Sequence, residues 1–208
     1  QAHRDLGLQA SERGDWPEAA RQFREAVDLA PANPAMRFNL GLVLNLMGAS
    51  RAAHDELEAA LRLDPELAAA SYTLGTILER TGRDAEAIER YTVAVTHDPN
   101  LSGAHLRLAD ALRRTGQLDA SLSFYRRVVD HEEARFGEAM ALARLGRYGE
   151  ARERLSVGMD HHPEQPAFPL ALARVLAAAP VDEVRDGSRA LDLVLALAED
   201  HKTAAVAE

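Results

Sequence analysis

The chain has 208 residues and a formal net charge of −9, contains no cysteine, and is only 5% aromatic. The lack of cysteine excludes disulfides and thiolate metal sites. The acidic balance argues against general nucleic-acid binding, which needs a basic surface. The sequence shows no apolar run of about 18 residues and no signal or lipidation motif. We therefore expect no nucleic-acid and no membrane partner, with the compartment, cytoplasmic or periplasmic, left open.

One set of residue types recurs at a fixed interval through most of the chain. Leu-Gly pairs begin at Leu6, Leu40 and Leu74, and later glycines stand at positions 14, 48, 82 and 116. Prolines follow at positions 31, 65 and 99. A fixed period of this length is the signature of a protein built from stacked repeats.

Each repeat has the pattern of two helices joined by a tight turn. In residues 68–101, Leu74 and Leu78 share one side of a first helix, and Ala87 and Tyr91 share one side of a second. Gly82 falls between the two helices, where a helix stop is needed. Gly75 is small at a point where paired helices must approach closely. One such pair cannot cover its own apolar faces, so we expect neighbouring pairs to stack into a solenoid.

These motifs resemble the tetratricopeptide repeat (TPR) family, whose pattern places Leu-Gly, Ala, aromatic residues and Pro at set offsets within a repeat of about 34 residues. The resemblance implies an all-α, right-handed superhelical solenoid of about six helix pairs that acts as a protein-binding scaffold. The predicted units cover residues 1–33, 34–67, 68–101, 102–131 and 132–165, with a divergent sixth pair in 166–208.

The repeat becomes irregular after residue 116. The next turn glycine, Gly146, comes four positions sooner than the earlier spacing requires, which predicts a shortened loop before unit five, with Asp130 as a candidate helix cap. In unit six, the pattern predicts a first helix over 166–178 and a second over 188–199. Lys202 to Glu208 would begin a further helix, which we interpret as part of a longer protein.

The TPR resemblance also implies a concave groove lined by the first helix of each pair. Carried over position by position, it gives the candidate partner-binding residues Arg4, Phe38, Asn39, Leu42, Asn45, Tyr72, Arg80, Leu106, Arg107, Asp110, Arg114, Phe136, Met140, Arg144 and Arg174. Leu170 and Arg113 belong to the same surface.

The groove candidates combine an apolar stripe with several arginines in an acidic protein. Because Arg grips carboxylates with paired hydrogen bonds, we expect an acidic peptide with a hydrophobic anchor. We expect Arg107 and Arg144 to converge beside Leu106 and Phe136. The alternative is that the arginines pair with local acids and the stripe is packing between repeats. The family's carboxylate clamp is incomplete here, because Leu8 and Thr73 stand where Asn and a basic residue are needed.

The sequence shows no catalytic constellation and predicts no cofactor. Neither a P-loop, nor a dinucleotide fingerprint, nor a nucleophile elbow is found. Asp160, His161, His162 and Glu164 cluster potential metal ligands. Adjacent histidines do not face each other well, and the pattern offers no further ligand at helical spacing, so we expect no metal site.

The leading interpretation is a non-enzymatic module that binds a partner segment in the groove. Two alternatives stay open. The chain is an assembly element that self-associates through its C-terminal end, where Leu191, Val194 and Leu195 lie around a helix. Otherwise it is the interaction domain of a larger enzyme.

Overall fold

In the computed structural model the described backbone, residues 2–207, is helical apart from turns, and side chains are described for residues 2–199. Within this range no strand is present, which confirms the all-α prediction. The chain divides into two compact bodies, Gln1–Ala111 and Leu112–Glu208. No helix among the described residues is both long and apolar enough to cross a membrane.

The first body contains helices joined by short turns, each packed against the next. They are α1 (Ala2–Glu12), α2 (Trp16–Leu29), α3 (Pro34–Leu46), α4 (Ser50–Leu63), α5 (Ala68–Arg80) and α6 (Asp84–His97), followed by α7 (Ser102–Arg114), in which the boundary falls. The pairs α1–α2, α3–α4 and α5–α6 pack as hairpins, and α2 packs on α3 and α4 on α5. The predicted stacking of pairs is confirmed here.

The second body continues the same organisation. Its helices are α8 (Leu118–Tyr125), α9 (Glu132–Arg144), α10 (Tyr148–His161), α11 (Ala167–Ala178) and α12 (Gly187–Ala207), with a 3-10 turn at Arg126–Val128 after α8. Helices α9 and α10 form one hairpin and α11 and α12 another, and α10 packs on α11. The fold is thus an all-α solenoid of consecutive helix pairs.

The predicted turn glycines end the first helix of five successive units with the same backbone conformation and the same pair of hydrogen bonds. Gly82 has φ +76°, in the left-handed region that glycine adopts without penalty. Its N–H donates to the Glu79 carbonyl, and the Arg83 N–H donates to the Leu78 carbonyl, which is the Schellman arrangement. The equivalent pair of bonds recurs at Gly14, Gly48, Gly116 and Gly146.

Small residues also allow the helices to approach closely, as predicted for Gly75. A Cβ atom on Gly75 would lie 2.5 Å from Cε1 of Tyr91 in the partner helix of the same pair. Gly7 faces Phe23 and Gly41 faces Leu57 in the same manner.

In the second body two close-packed helical glycines face a large residue of the adjacent unit and not of their own pair. A Cβ on Gly137 in α9 would lie 2.4 Å from Cζ of Tyr125 in α8. One on Gly158 in α10 would lie 2.2 Å from Cε1 of Phe168 in α11.

Three local predictions are wrong. The four-residue shortening is not confined to a loop, because α8 has 8 residues where α2, α4, α6 and α10 have 14. The N-cap of α9 is His131 and not Asp130, and its side chain makes no capping bond. Finally, α12 continues to Ala207, so Glu199 does not end it and no new helix begins at Lys202.

Candidate functional site

The second body contains an apolar pocket of about 420 Å³ between α9 and α11, with the start of α10 at one side. Its lining is mostly apolar, with one guanidinium and one phenol, and consists of Phe136, Met140, Ala143, Tyr148, Ala167, Leu170, Ala171, Arg174, Val175 and Ala178. Four of the residues predicted for the concave surface, Phe136, Met140, Leu170 and Arg174, therefore lie together.

Helical spacing accounts for this convergence. Phe136 and Met140 are four residues apart on α9, and Leu170 and Arg174 are four apart on α11, so each pair lies on one helix face. Small alanines between them on α11 leave the space open. The Phe136 ring meets Phe168 edge to face, with centroids 5.7 Å apart, and Phe168 is fully buried. The pocket wall therefore rests on the core of the second body.

Arg174 is the cation of this pocket. Its side chain is exposed, and among the described residues no hydrogen bond or ion pair engages it. Leu170, on the same face, is 49% exposed. An unpaired guanidinium beside an exposed leucine and an open apolar cavity suits a ligand that carries a carboxylate next to an apolar group.

Other predicted arginines of the second body are engaged within the protein. Arg144 donates from Nη1 to the Arg113 carbonyl at 2.7 Å, which joins α9 to the end of α7. The Nε of Arg113 donates to the Tyr125 hydroxyl at 2.9 Å. Arg114 is exposed at the last position of α7. Packing thus fixes part of the predicted basic surface.

In the first body the predicted arginines also bond locally. Arg80 donates from Nη2 to Oδ1 of Asn45 at 2.7 Å and to the Ser50 hydroxyl at 2.9 Å. Arg4 donates from Nε and Nη2 to Asp5. These contacts agree with the alternative of local pairing, although Arg80 bonds to polar neutral groups and not to an acid.

Glu79, which precedes the candidate residue Arg80, accepts a 2.6 Å hydrogen bond from the Tyr91 hydroxyl. Burial raises the pKa of Tyr91, and the bond to Glu79 raises that pKa further. Tyr91 is completely buried, so this bond belongs to the packing of the hairpin.

The predicted apolar stripe of the first body is partly buried. Tyr72 packs against Tyr91, with ring centroids 6.0 Å apart. The remaining candidates of this body are half-buried except for the exposed Arg107, and they are Phe38, Asn39, Leu42, Leu106 and Asp110. No pocket among those described brings them together. Their role in binding stays a prediction.

Sequence reasoning missed two features of the second body. Tyr148 lines the pocket, and its aromatic ring at the first position of α10 is the signal that was available. Glu132 lies beside His162 and Glu164, so that one donor atom of each lies within 4.8 Å of the others. Spacing along the chain does not reveal this proximity, because the whole of α9 and α10 separates Glu132 from His162.

Solved structures share this fold. YrrB, described as a TPR protein with an unusual peptide-binding site, superposes with a TM-score of 0.79 at 23% identity, covering 91% of this chain and 98% of YrrB. A MamA protein gives a TM-score of 0.70 at 20% identity, covering 78% of this chain and 91% of MamA. A tetratricopeptide repeat protein from Parabacteroides merdae gives 0.72 at 16% identity, covering 84% and 71%. At these identities the likeness concerns the fold.

Family models give the family directly. No curated protein matches the chain. A tetratricopeptide repeat model matches residues 47–102 and 106–157, more than half of the chain, and a second TPR repeat model matches residues 7–48. The repeat spacing, the paired helices and these matches agree, and the chain belongs to the tetratricopeptide repeat family.

Proposed function

We propose that this protein is a non-catalytic interaction module that binds a segment of a partner protein at the pocket between α9 and α11. The observation that carries the proposal is the unpaired Arg174 at the edge of an apolar cavity formed by Phe136, Met140 and Leu170. Membership of the TPR family supports the broader role of a protein-interaction module.

The pocket chemistry favours an acidic segment with a hydrophobic anchor. Burying one large apolar side chain contributes about 1.5–3 kcal/mol. An exposed ion pair with Arg174 contributes about 0.2–1 kcal/mol. The anchor therefore supplies most of the affinity, while the guanidinium selects the charge beside it and steers the encounter.

The first body offers a weaker case for the same role. Arg80 and Arg4 are already bonded within the chain, and Tyr72 packs on the buried Tyr91. A ligand there would have to displace existing bonds before making its own. Arg107 belongs to the first body, and its participation with Arg144 stays a prediction.

Peptide selection tests the proposal without a known partner. A random peptide display library is selected on the purified chain, and the expected enriched motif is a large apolar residue next to Asp or Glu. Leu170→Asp should weaken a selected peptide at least about tenfold, because it places a charge in the apolar cavity. Leu170 is 49% exposed, so the change should leave the fold intact.

Leu63→Asp is the matched control. Leu63 is 44% exposed at the end of α4 in the first body, so the same chemical change is made away from the pocket. It should leave peptide affinity unchanged. Full affinity in Leu170→Asp would refute binding at this pocket.

The second candidate is assembly through α12. Leu191, Val194 and Leu195 are 58%, 44% and 53% exposed, and they recur at the spacing of one helix face. An exposed stripe of this kind favours association with another apolar surface. This candidate does not conflict with peptide binding, because none of the α12 residues whose side chains are described, 187–199, lines the pocket.

A further inference from the structure

Three side chains that commonly bind metals converge beside the first turn of α9. Glu132 is the first residue of α9, His162 follows the end of α10, and Glu164 lies in the turn that leads to α11. The ligand atoms of the three residues all lie within 4.8 Å of one another. The residue that begins the α9–α10 hairpin and the two residues that follow it therefore bring one imidazole and two carboxylates close together.

The His162 ring is held in place by the core. It stacks on Phe168 with centroids 5.9 Å apart and an interplanar angle of 14°. Phe168 is itself completely buried. The backbone N–H of His162 donates to the Gly158 carbonyl, and the backbone carbonyl of His162 accepts from the backbone N–H of Gln165. Backbone and ring are thus both positioned before any ligand arrives, which lowers the entropic cost of binding.

The ring nitrogens of His162 also make no hydrogen bond to any described residue. His3, His105 and His161 each have a ring nitrogen within 2.9 Å of an oxygen of the protein. For His162 the described residues provide no such bond, and Nδ1 is 3.8 Å from Oε2 of Glu132, too far for a hydrogen bond. The imidazole is therefore available as a donor to an ion.

We propose that Glu132, His162 and Glu164 form a binding site for a divalent transition-metal ion of the zinc class. Imidazole nitrogen with carboxylate oxygen suits Zn²⁺, whereas Ca²⁺ and Mg²⁺ prefer oxygen ligands alone. Two carboxylates also balance the charge of a divalent ion. A water molecule would complete a four-coordinate shell.

The three donor atoms must move closer together to hold one ion. Zn–N and Zn–O bonds are about 2.0–2.2 Å, so two donors of a four-coordinate, tetrahedral ion lie roughly 3.3–3.6 Å apart. The present limit of 4.8 Å closes to this distance if the glutamate side chains rotate towards His162. Glu164 is exposed and Glu132 is half-buried, so neither rotation disturbs the core.

Such an ion would tie the start of α9 to the connection between α10 and α11. A ligand that binds only the folded state raises stability by mass action. The expected result is an increase in the melting temperature that depends on zinc concentration and is reversed by a chelator.

The test is calorimetric titration of ZnCl₂ into the full chain, free of any histidine tag and treated with EDTA, together with thermal melts with and without zinc. One equivalent should bind per chain, and the melting temperature should rise. His162→Gln should weaken binding at least about tenfold, because losing even an outer partner of a metal site has that effect. Glu132→Gln and Glu164→Gln should each weaken it as well.

His161→Gln is the matched control, since it removes the neighbouring histidine, whose Nδ1 is 2.8 Å from the Val157 carbonyl oxygen of its own helix. It should bind zinc as the unaltered chain does. Equal binding by the two histidine variants, or no zinc binding at millimolar concentration, would overturn the proposal. If His162→Gln fails to fold, the Glu164→Gln variant tests the site instead, because Glu164 lies in an exposed turn. Unchanged zinc affinity in Glu164→Gln would then overturn the proposal.

Discussion

Tyr91 and Tyr125 occupy equivalent positions in successive repeats, yet their hydroxyl groups form hydrogen bonds of opposite direction. Tyr91 donates to Glu79 at 2.6 Å, whereas Tyr125 accepts from Nε of Arg113 at 2.9 Å. Glu79 and Arg113 are likewise equivalent in the repeat, and both tyrosines are completely buried. The repeat therefore keeps the position of the bond but not the charge of the residue that completes it.

This relationship predicts that stability suffers less when the hydrogen bond of Tyr91 changes direction than when the bond is removed. Glu79→Arg should retain most of the stability, because a guanidinium can donate to the Tyr91 hydroxyl as Arg113 does to Tyr125. Glu79→Leu should destabilise by about 1–3 kcal/mol, since it leaves a buried hydroxyl unpaired. Urea denaturation of both variants measures the difference. Equal losses in the two variants would show that the arginine does not restore the bond and would contradict this prediction.

The same bond predicts a loss of stability at high pH. Burial and Glu79 raise the folded pKa of Tyr91 above its ordinary value of 10.0. Because the folded pKa is raised, the contribution is fully present below pH 10 and falls as the unfolded state ionises above it. By pH 11 the loss should be about 1 kcal/mol.

Tyr91→Phe isolates this effect, because the decrease in stability between pH 8 and pH 11 should be smaller in the variant. Comparing the decrease, and not the absolute stability, separates ionisation from the loss of the hydrogen bond at neutral pH. Identical decreases in the two proteins would mean that Tyr91 does not contribute to the alkaline transition.

Gly75 should tolerate no side chain. Gly75→Ala places a Cβ 2.5 Å from the Tyr91 ring, so the helices must separate, at a cost of about 1–3 kcal/mol. Gly149 is the control, because it is exposed on α10 and a Cβ there meets nothing within 4 Å. Gly149→Ala should leave stability unchanged or raise it by up to about 1 kcal/mol. Thermal melts that rank the two variants in the opposite order would contradict the packing role of Gly75.

Arg174 should govern the rate of ligand association. Changing Arg174 to Glu should slow association of an acidic peptide and reduce the dependence of that rate on salt. Leu170→Ala should instead speed dissociation and leave the salt dependence as it was. Surface plasmon resonance at several ionic strengths measures both. A peptide whose association is unaffected by the Arg174 change binds elsewhere.

The exposed face of α12 should drive self-association. Sedimentation should show a concentration-dependent increase in mass, which replacement of Leu191 and Leu195 by Glu abolishes. Leu29→Glu is the control, because Leu29 is 72% exposed but lies on α2. A clean monomer at high concentration would rule this association out.

The repeat pattern was sufficient to predict the helix pairs and their turns. Gly82 is required for a left-handed φ, and Gly75 is required for the close approach to Tyr91. Both requirements arise within a single helix pair, so the repeat pattern is enough to predict them. The same reasoning brought Phe136, Met140, Leu170 and Arg174 to one surface, because helical spacing decides which face each occupies.

What the sequence left undetermined depends on packing between distant residues. The missing four residues shorten α8 and produce a 3-10 turn, and residue spacing alone does not say whether a helix or a loop absorbs a deletion. Nor does spacing show that Arg80 is bonded to Asn45 in the preceding pair, or that Glu132 approaches His162. Both of these contacts join residues that are separated by nearly a full repeat or more along the chain.

The position of the close-packed glycines has a consequence for cooperativity. In the first body Gly7, Gly41 and Gly75 each face a large residue of their own pair, whereas Gly103 faces Tyr72 of the preceding pair. Excision of residues 34–67 would remove both Gly41 and Leu57, and it would also remove the Asn45 and Ser50 acceptors of Arg80. In the second body Gly137 with Tyr125 and Gly158 with Phe168 span successive pairs, so removal of one pair breaks a contact in the next. Since the tightest glycine contacts of the second body join successive pairs, we expect the second body to unfold more cooperatively than the first.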